Sequence, residues 1–446
     1  MKSSDMLHGN TGKSLFLFAL PMIIGNLFQQ LYTMVDSIIV GRFVNENALA
    51  AVGASYALTS VFISVAIGGG IGASVLTSQY LGAKDYSRMR SSIYTALITF
   101  LGISILLGIG GFTLSSGIMR WLNTPDNIID QAALFLRIYF IGLPFLFMYN
   151  VLAAVFNSLG KSKIPLYLLI FSSVLNVLMD LFFVIVFHLG VGGVAWATLI
   201  AQGISAILAF LILIRYLRNF EKGNYIKRYD IHLLGKIFRI AVPSILQQSI
   251  VSIGMMLVQS VVNGFGSEVL AGYSSAMRIE GICVVPLSAM GNAVSTFTAQ
   301  NIGAGQKERV KKGYFSAYII LAAFAVLICG ALELFHTPII SAFLNKESSN
   351  LALQTGTAYL KFMGFFYIML GLKMITDGLL RGAGDMKVFT AANLVNLAIR
   401  VFVAFQFAPV WGIAAVWYAV PMGWTANYLL SFSRYLTGKW KEIDIR

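Results

Sequence analysis

Apolar runs separated by short clusters of charge organise the whole chain. Uncharged stretches such as 48–83 and 401–433 exceed the ~20 residues that a helix needs to cross a bilayer. Splitting the longest runs at Gly, Pro or polar turns gives spans near 14–40, 49–81, 92–118, 131–156, 164–187 and 191–214, then near 236–263, 269–301, 313–334, 351–380, 387–408 and 412–433. Hydrocarbon offers no partner to a backbone amide, and no segment alternates at period two as a barrel strand does, so the spans are read as helices. The first run has no small-residue cleavage pattern after it and is read as a permanent helix. The expected fold is an all-α integral membrane protein with twelve transmembrane helices.

Charge orients these helices. Basic residues collect on alternate connections: Lys2 and Lys13, Lys84 to Arg90, Lys161 and Lys163, the segment 215–239, Lys307 to Lys312, Arg381 and Lys387, and 434–446. The opposite connections hold only Arg42, Arg120 and Lys346. By the positive-inside rule both termini are cytoplasmic, in a multi-pass protein of the inner (plasma) membrane whose first partner is the lipid bilayer. The composition agrees, with 58% hydrophobic and 11% charged residues and a net charge of +14. That excess serves topology, and nucleic acid is discounted as a partner. Cys283 and Cys329 both lie in apolar runs without metal-ligand spacing, so neither a disulfide nor zinc is expected, and no cofactor is implied.

The two halves repeat each other. Ala19–Leu20–Pro21 recurs as Ala241–Val242–Pro243, and Gln79, Gly82, Ala83 and Arg88 pair with Gln300, Gly303, Ala304 and Arg309. Gly160 pairs with Gly384, Asn176 with Asn396 and Trp196 with Trp417. An even number of helices per repeat makes the halves parallel, and such transporters bind their substrate between them. The expected organisation is an N-terminal six-helix lobe over 1–214, a cytoplasmic linker over 215–235 and a C-terminal six-helix lobe over 236–446.

Ionisable residues inside spans carry the functional signal, because a charge at the helix centre costs at least ~2.5 kcal/mol on insertion scales. Asp36 lies deep in the first span and Asp180 in the fifth, with Asn176 one helical turn before Asp180. Brought together, two carboxylates repel and hold one proton between them, so the pair is a proton carrier; with the amide it also suits a sodium ion at Asp36, Asn176 and Asp180. By the repeat, Asp36 corresponds to Gln259 and Asp180 to Arg400, so cation coupling belongs to the N-terminal half. Arg278, Glu280, Lys373, Asp377 and Arg400 in the second half are read as structural ion pairs. Pro21 lies fifteen residues before Asp36 on one helix and is a hinge candidate. Gly68, Gly69, Gly70 and Gly72 mark close helix packing.

The ALP and MVDSIIVGR segments of the first helix, SQYLGAKD after the second, FNSLGKSKIP, LNVLMD, and GLLRGAGD from Gly378 together resemble the multidrug and toxic compound extrusion (MATE) transporters over nearly the whole chain. The resemblance implies twelve helices in two lobes working by alternating access. It also implies a proton or sodium site in the N-terminal lobe at Asp36, Asn157, Asn176, Asp180 and Thr198, with Pro21 matching the family's first-helix proline. The acidic residues that another branch of the family carries in the seventh and tenth helices have no counterpart here. Gln247 and Gln248 stand in the former region and Leu370 near the latter. The function expected is that of a monomeric, cation-coupled antiporter exporting organic cations. Flippases of lipid-linked precursors share the fold and are the alternative. No GxxxxGK loop is present, which argues against a primary pump or another nucleotide-driven enzyme.

Overall fold

A computed structural model describes residues 6–44, 46–122, 124–220, 227–342 and 349–443. Lys2, Lys222, Lys346, Arg446 and part of the 215–235 segment lie outside these described residues. Twelve long helices account for most of the rest. They are α1 Thr11–Ile39, α2 Glu46–Gly82, α3 Tyr86–Trp121, α4 Asp126–Ser158, α5 Lys163–Leu181 and α6 Gly190–Leu217, followed by α7 Ile231–Asn263, α8 Ser267–Gly303, α9 Lys307–Ser341, α10 Asn350–Ala383, α11 Met386–Trp411 and α12 Ala414–Leu436. Each of the twelve spans read from the sequence falls on one of them.

Most helices run past the apolar run that announces them, because polar ends supply the missing hydrogen bonds outside the hydrocarbon. Asp85 caps α3 by accepting from the Arg88 amide at 3.0 Å. Ser349 caps α10 from the Ala352 amide at 3.3 Å, and Gly384 closes that helix at φ +84°, a conformation glycine adopts freely. Eleven of the helices are long and apolar enough to cross a membrane by themselves. The exception is α12, which turns buried Asn427 and Ser431 inward.

The chain forms two compact units, one of Ile24–Ile245 and the other of Met1–Ile23 with Leu246–Arg446. The division crosses α1 shortly after Pro21 and α7 shortly after Pro243. Glycines allow α2 and the first half of α7 to pack backbone to backbone within the first unit. A Cβ on Gly68 would lie 2.6 Å from the Ile245 nitrogen, and one on Gly72 2.8 Å from the Ile237 oxygen. In the second unit α8 and α10 cross in the same way, with a Cβ on Gly378 falling 2.2 Å from the Gly291 oxygen and one on Gly272 2.2 Å from the Ala352 oxygen. The segment before α1 is held there by Arg309, which donates to the carbonyls of Met6, His8 and Gly9 at 3.2, 2.8 and 2.8 Å. Asn301 donates to Met6 as well, at 3.0 Å.

Candidate functional site

In the unit Ile24–Ile245, three helices bring the intramembrane polar residues together. Tyr32 and Asp36 are one turn apart on α1, Asn176 and Asp180 one turn apart on α5, and Thr198 lies in the third turn of α6. Just beyond each aspartate the helix widens into a π-helical turn, Val40–Val44 after Asp36 and Phe182–Val186 after Asp180. Such turns rotate the following residues out of the α-helical phase and occur often at functional sites. Here they direct Val40, Val44 and Val184 into one cluster with Ala48, Val52, Phe135, Val191 and Val194. This cluster clamps the ends of α1 and α5 and so brings the two aspartates to one place.

The polar residues then bond in a chain. The Thr198 backbone amide donates to Asn176 Oδ1 at 3.0 Å, which turns the amide nitrogen the other way. That nitrogen donates to Asp180 Oδ2 at 2.9 Å and to the Tyr32 hydroxyl at 2.8 Å. Asp180 is fully buried and Asn176 nearly so. The carboxyl groups of Asp36 and Asp180 lie close enough to act directly on each other. Asp36 Oδ1 and Asp180 Oδ1 are both buried and receive no donor from the protein. Two carboxylates contain no donor, so a direct bond between them would need a proton on one of them. Because the Asn176 oxygen is turned to Thr198, the set Asp36, Asn176 and Asp180 offers a metal ion carboxylate oxygens alone.

Asp36, Asn176, Asp180 and Thr198 therefore meet, while Asn157 does not join them. It lies in the last turn of α4, close in sequence to the start of α5, whereas Asn176 and Asp180 are about 20 and 25 Å further along α5 at 1.5 Å per residue. Its Oδ1 is buried without a partner. Tyr32 is the member that sequence reasoning missed, and its spacing of four residues from Asp36 was the available signal.

In the second half, Lys373 and Asp377 form the buried ion pair expected of them, at 3.1 Å. Asn393 donates to Asp377 at 3.3 Å and Ser431 at 3.0 Å, which closes the network. The expected pairing fails for the others: Glu280 accepts from the Tyr359 hydroxyl, Arg278 is exposed, and Arg400 has no ion pair among the described residues. Glu280 thus meets a hydroxyl donor directly, with Arg400 facing it at longer range. Among the described residues no group of three or more His, Cys, Asp or Glu side chains could hold a metal ion.

A fold of twelve long apolar helices with a buried polar cluster is that of a multi-pass membrane protein. The MatE family model matches residues 21–182 and again 243–406, and the chain belongs to this family of transporters, whose members are not enzymes. It is 30% identical over 447 residues to the probable multidrug resistance protein YpnP of Bacillus subtilis (strain 168), covering 100% of this chain and 99% of that one. With the probable multidrug resistance protein YoeA of the same organism it shares 31% over 452 residues, covering 97% and 95%. Its fold is that of a multidrug resistance MATE family transporter solved in an outward-facing conformation, at a TM-score of 0.91, 23% identity and 99% coverage of both chains. A MOP superfamily transporter from Pyrococcus furiosus matches at a TM-score of 0.89 and 23% identity, again over 99% of each chain. The protein is thus a MATE-family transporter.

Proposed function

We propose that this transporter exports small organic compounds, cations among them, in exchange for protons carried by the Asp36–Asp180 pair. In this reading the two six-helix lobes, 1–214 and 236–446, are joined by 215–235, keep both termini in the cytoplasm and act as a monomer by alternating access. The approach of the two carboxyls, each with a buried oxygen that no protein donor reaches, carries the proposal, since a shared proton is the simplest occupant of that geometry. A proton is favoured over sodium because Asn176 presents its nitrogen to Asp180 and its oxygen to Thr198. Proton binding that is stronger in one arrangement of the lobes shifts the population toward it, and release on the other side returns the carrier with cargo. Pro21 is assigned the hinge: it breaks one backbone hydrogen bond of α1, and the boundary between the compact units follows it by two residues.

The test is efflux of a fluorescent organic cation from vesicles containing the purified protein, driven in separate arms by a proton gradient and by a sodium gradient. Efflux under the proton gradient alone, lost in Asp36→Asn, is expected. Efflux driven by sodium alone would reassign the ion, and unchanged efflux in the variant would remove Asp36 from the mechanism.

A further inference from the structure

In the unit Ile24–Ile245, α3 and α6 both pack along α4 but scarcely on each other, which leaves a cleft over α4. Leu97 and Leu101 of α3, Met148 and Leu152 of α4, and Ala206 and Phe210 of α6 line it around a volume of about 350 Å³. A second cavity of about 310 Å³ continues it at Pro144 and runs between α3 and α4 as far as Thr113. From Tyr94 to Thr113 the two extend over about 28 Å of helix at 1.5 Å per residue, close to the ~30 Å thickness of the hydrocarbon. Leu101, Ile207 and Phe210 on the edges are exposed, so the cleft opens sideways.

A cation closes one end of this apolar cleft. Arg90 stands one turn before Tyr94 on the same face of α3, two residues before the apolar span near 92–118, where the helix leaves hydrocarbon for the headgroups. Its Nη2 reaches across to the carbonyls of Leu217 and Phe220 at the end of α6, so a single nitrogen takes both. Arg90 is only 5% exposed, yet its Nε is buried without a partner and it makes no ion pair among the described residues. A buried guanidinium with spare donors and no anion is costly. Tyr94 lines the same end of the cleft, and its hydroxyl makes no hydrogen bond with a described residue. Arg218 caps α6 and is exposed; eleven residues after Ile207, it continues the face that α6 turns to the cleft. Apolar walls with a cationic end suit an amphiphile with an anionic head.

We propose that this cleft holds one acidic phospholipid from the leaflet at that end, with its phosphate on Arg90, Tyr94 and Arg218 and an acyl chain lying along α3, α4 and α6. The free Arg90 donors and the Tyr94 hydroxyl bond the phosphate oxygens, and Arg218 adds the charge that favours a net anionic headgroup over a zwitterionic one. Bound there, the lipid ties α3 to α6 along the stretch where they do not touch, and so stabilises the unit Ile24–Ile245. The site is independent of the coupling ion and of the cargo.

Binding without flux tests it, so a failure of proton coupling leaves the outcome readable. The full-length protein, stripped of lipid in a nonionic detergent, is titrated with phosphatidylglycerol, phosphatidylcholine and inorganic phosphate. Native mass spectrometry counts the bound lipid and thermal unfolding reads its effect. One phosphatidylglycerol should bind more tightly than any further copy and raise the unfolding temperature, and phosphatidylcholine should bind about tenfold more weakly. Phosphate, which has no tail, should not displace the lipid. Arg90→Gln should weaken phosphatidylglycerol about tenfold or more and Arg218→Gln about fivefold, with phosphatidylcholine little changed. Leu101→Trp, which fills the cleft and leaves Arg90 in place, should weaken both lipids. An arginine that only caps α6 would lower the stability of Arg90→Gln and leave its preference for phosphatidylglycerol intact, which overturns the proposal. Equal binding of the two lipids to wild type, or displacement by phosphate, overturns it too. Should Arg90→Gln not fold, unchanged phosphatidylglycerol affinity in both Arg218→Gln and Leu101→Trp does the same.

Discussion

Replacing Asp180 by Asn and, separately, by Ala divides the proton from the packing. Asp180 is fully buried; its Oδ2 accepts from Asn176 at 2.9 Å, and its Oδ1 has no protein donor. Asn at this position preserves the shape. Its carbonyl can accept from Asn176 and its amide can donate to Asp36, a fixed substitute for the shared proton. With both bonds kept, the cost in stability should stay under about 1 kcal/mol. Ala instead strands the Asn176 nitrogen and the Asp36 carboxyl, and at about 1–3 kcal/mol per orphaned group the loss is about 2–6 kcal/mol. In proteoliposomes the Asn variant should still let cargo run down its own gradient, while uphill transport under a proton gradient falls to background. Thermal unfolding in detergent and paired flux assays, with and without a pH gradient, report the two effects separately. Uphill transport retained in Asp180→Asn, or an Ala variant as stable as wild type, would refute the assignment.

Other consequences follow from neighbouring residues. Tyr32→Phe removes one acceptor of the Asn176 amide and should lower proton-driven flux while costing about 1 kcal/mol in stability, measured on the same preparation. Lys373→Met leaves Asp377 buried without its cation and should destabilise the protein by about 3–5 kcal/mol; adding Asp377→Asn should recover most of that loss in a thermal unfolding double-mutant cycle. Gly378→Ala drives a methyl to 2.2 Å from the Gly291 oxygen, so α8 and α10 must separate. It should lower the unfolding temperature more than Gly330→Ala, where a Cβ meets nothing within 4 Å.

The helices were legible because a bilayer imposes long apolar runs, and the charge between runs is governed by topology rather than by packing. Asp36 and Asp180 stood out for the complementary reason that a carboxylate inside such a run needs a purpose. What the pattern could not carry is the phase of a helix that departs from 3.6 residues per turn. The π turns at Val40–Val44 and Phe182–Val186 lie where their valines pack against side chains of α2, α4 and α6, a tertiary setting without local signature. Asn157 shows the limit of transferring a motif. Its residue type matched, but its place in the last turn of α4 puts it at the far end of α5 from Asp180. Arg400 reads as an ion-pair partner from its place among the charged residues of the second-half spans, and only the folded chain reveals that Glu280, which faces it, is bonded to a tyrosine.

The central claim is a proton held between Asp36 and Asp180, and infrared difference spectroscopy on the purified transporter observes it directly. A protonated carboxyl band should be present in the resting wild type, vanish on raising the pH or on adding an exported cation, and be missing from both Asp36→Asn and Asp180→Asn. Sodium should leave it untouched. A wild-type spectrum with both groups ionised, or a carboxylate signal that moves with sodium and not with pH, would contradict the shared proton and hand the site to a metal ion.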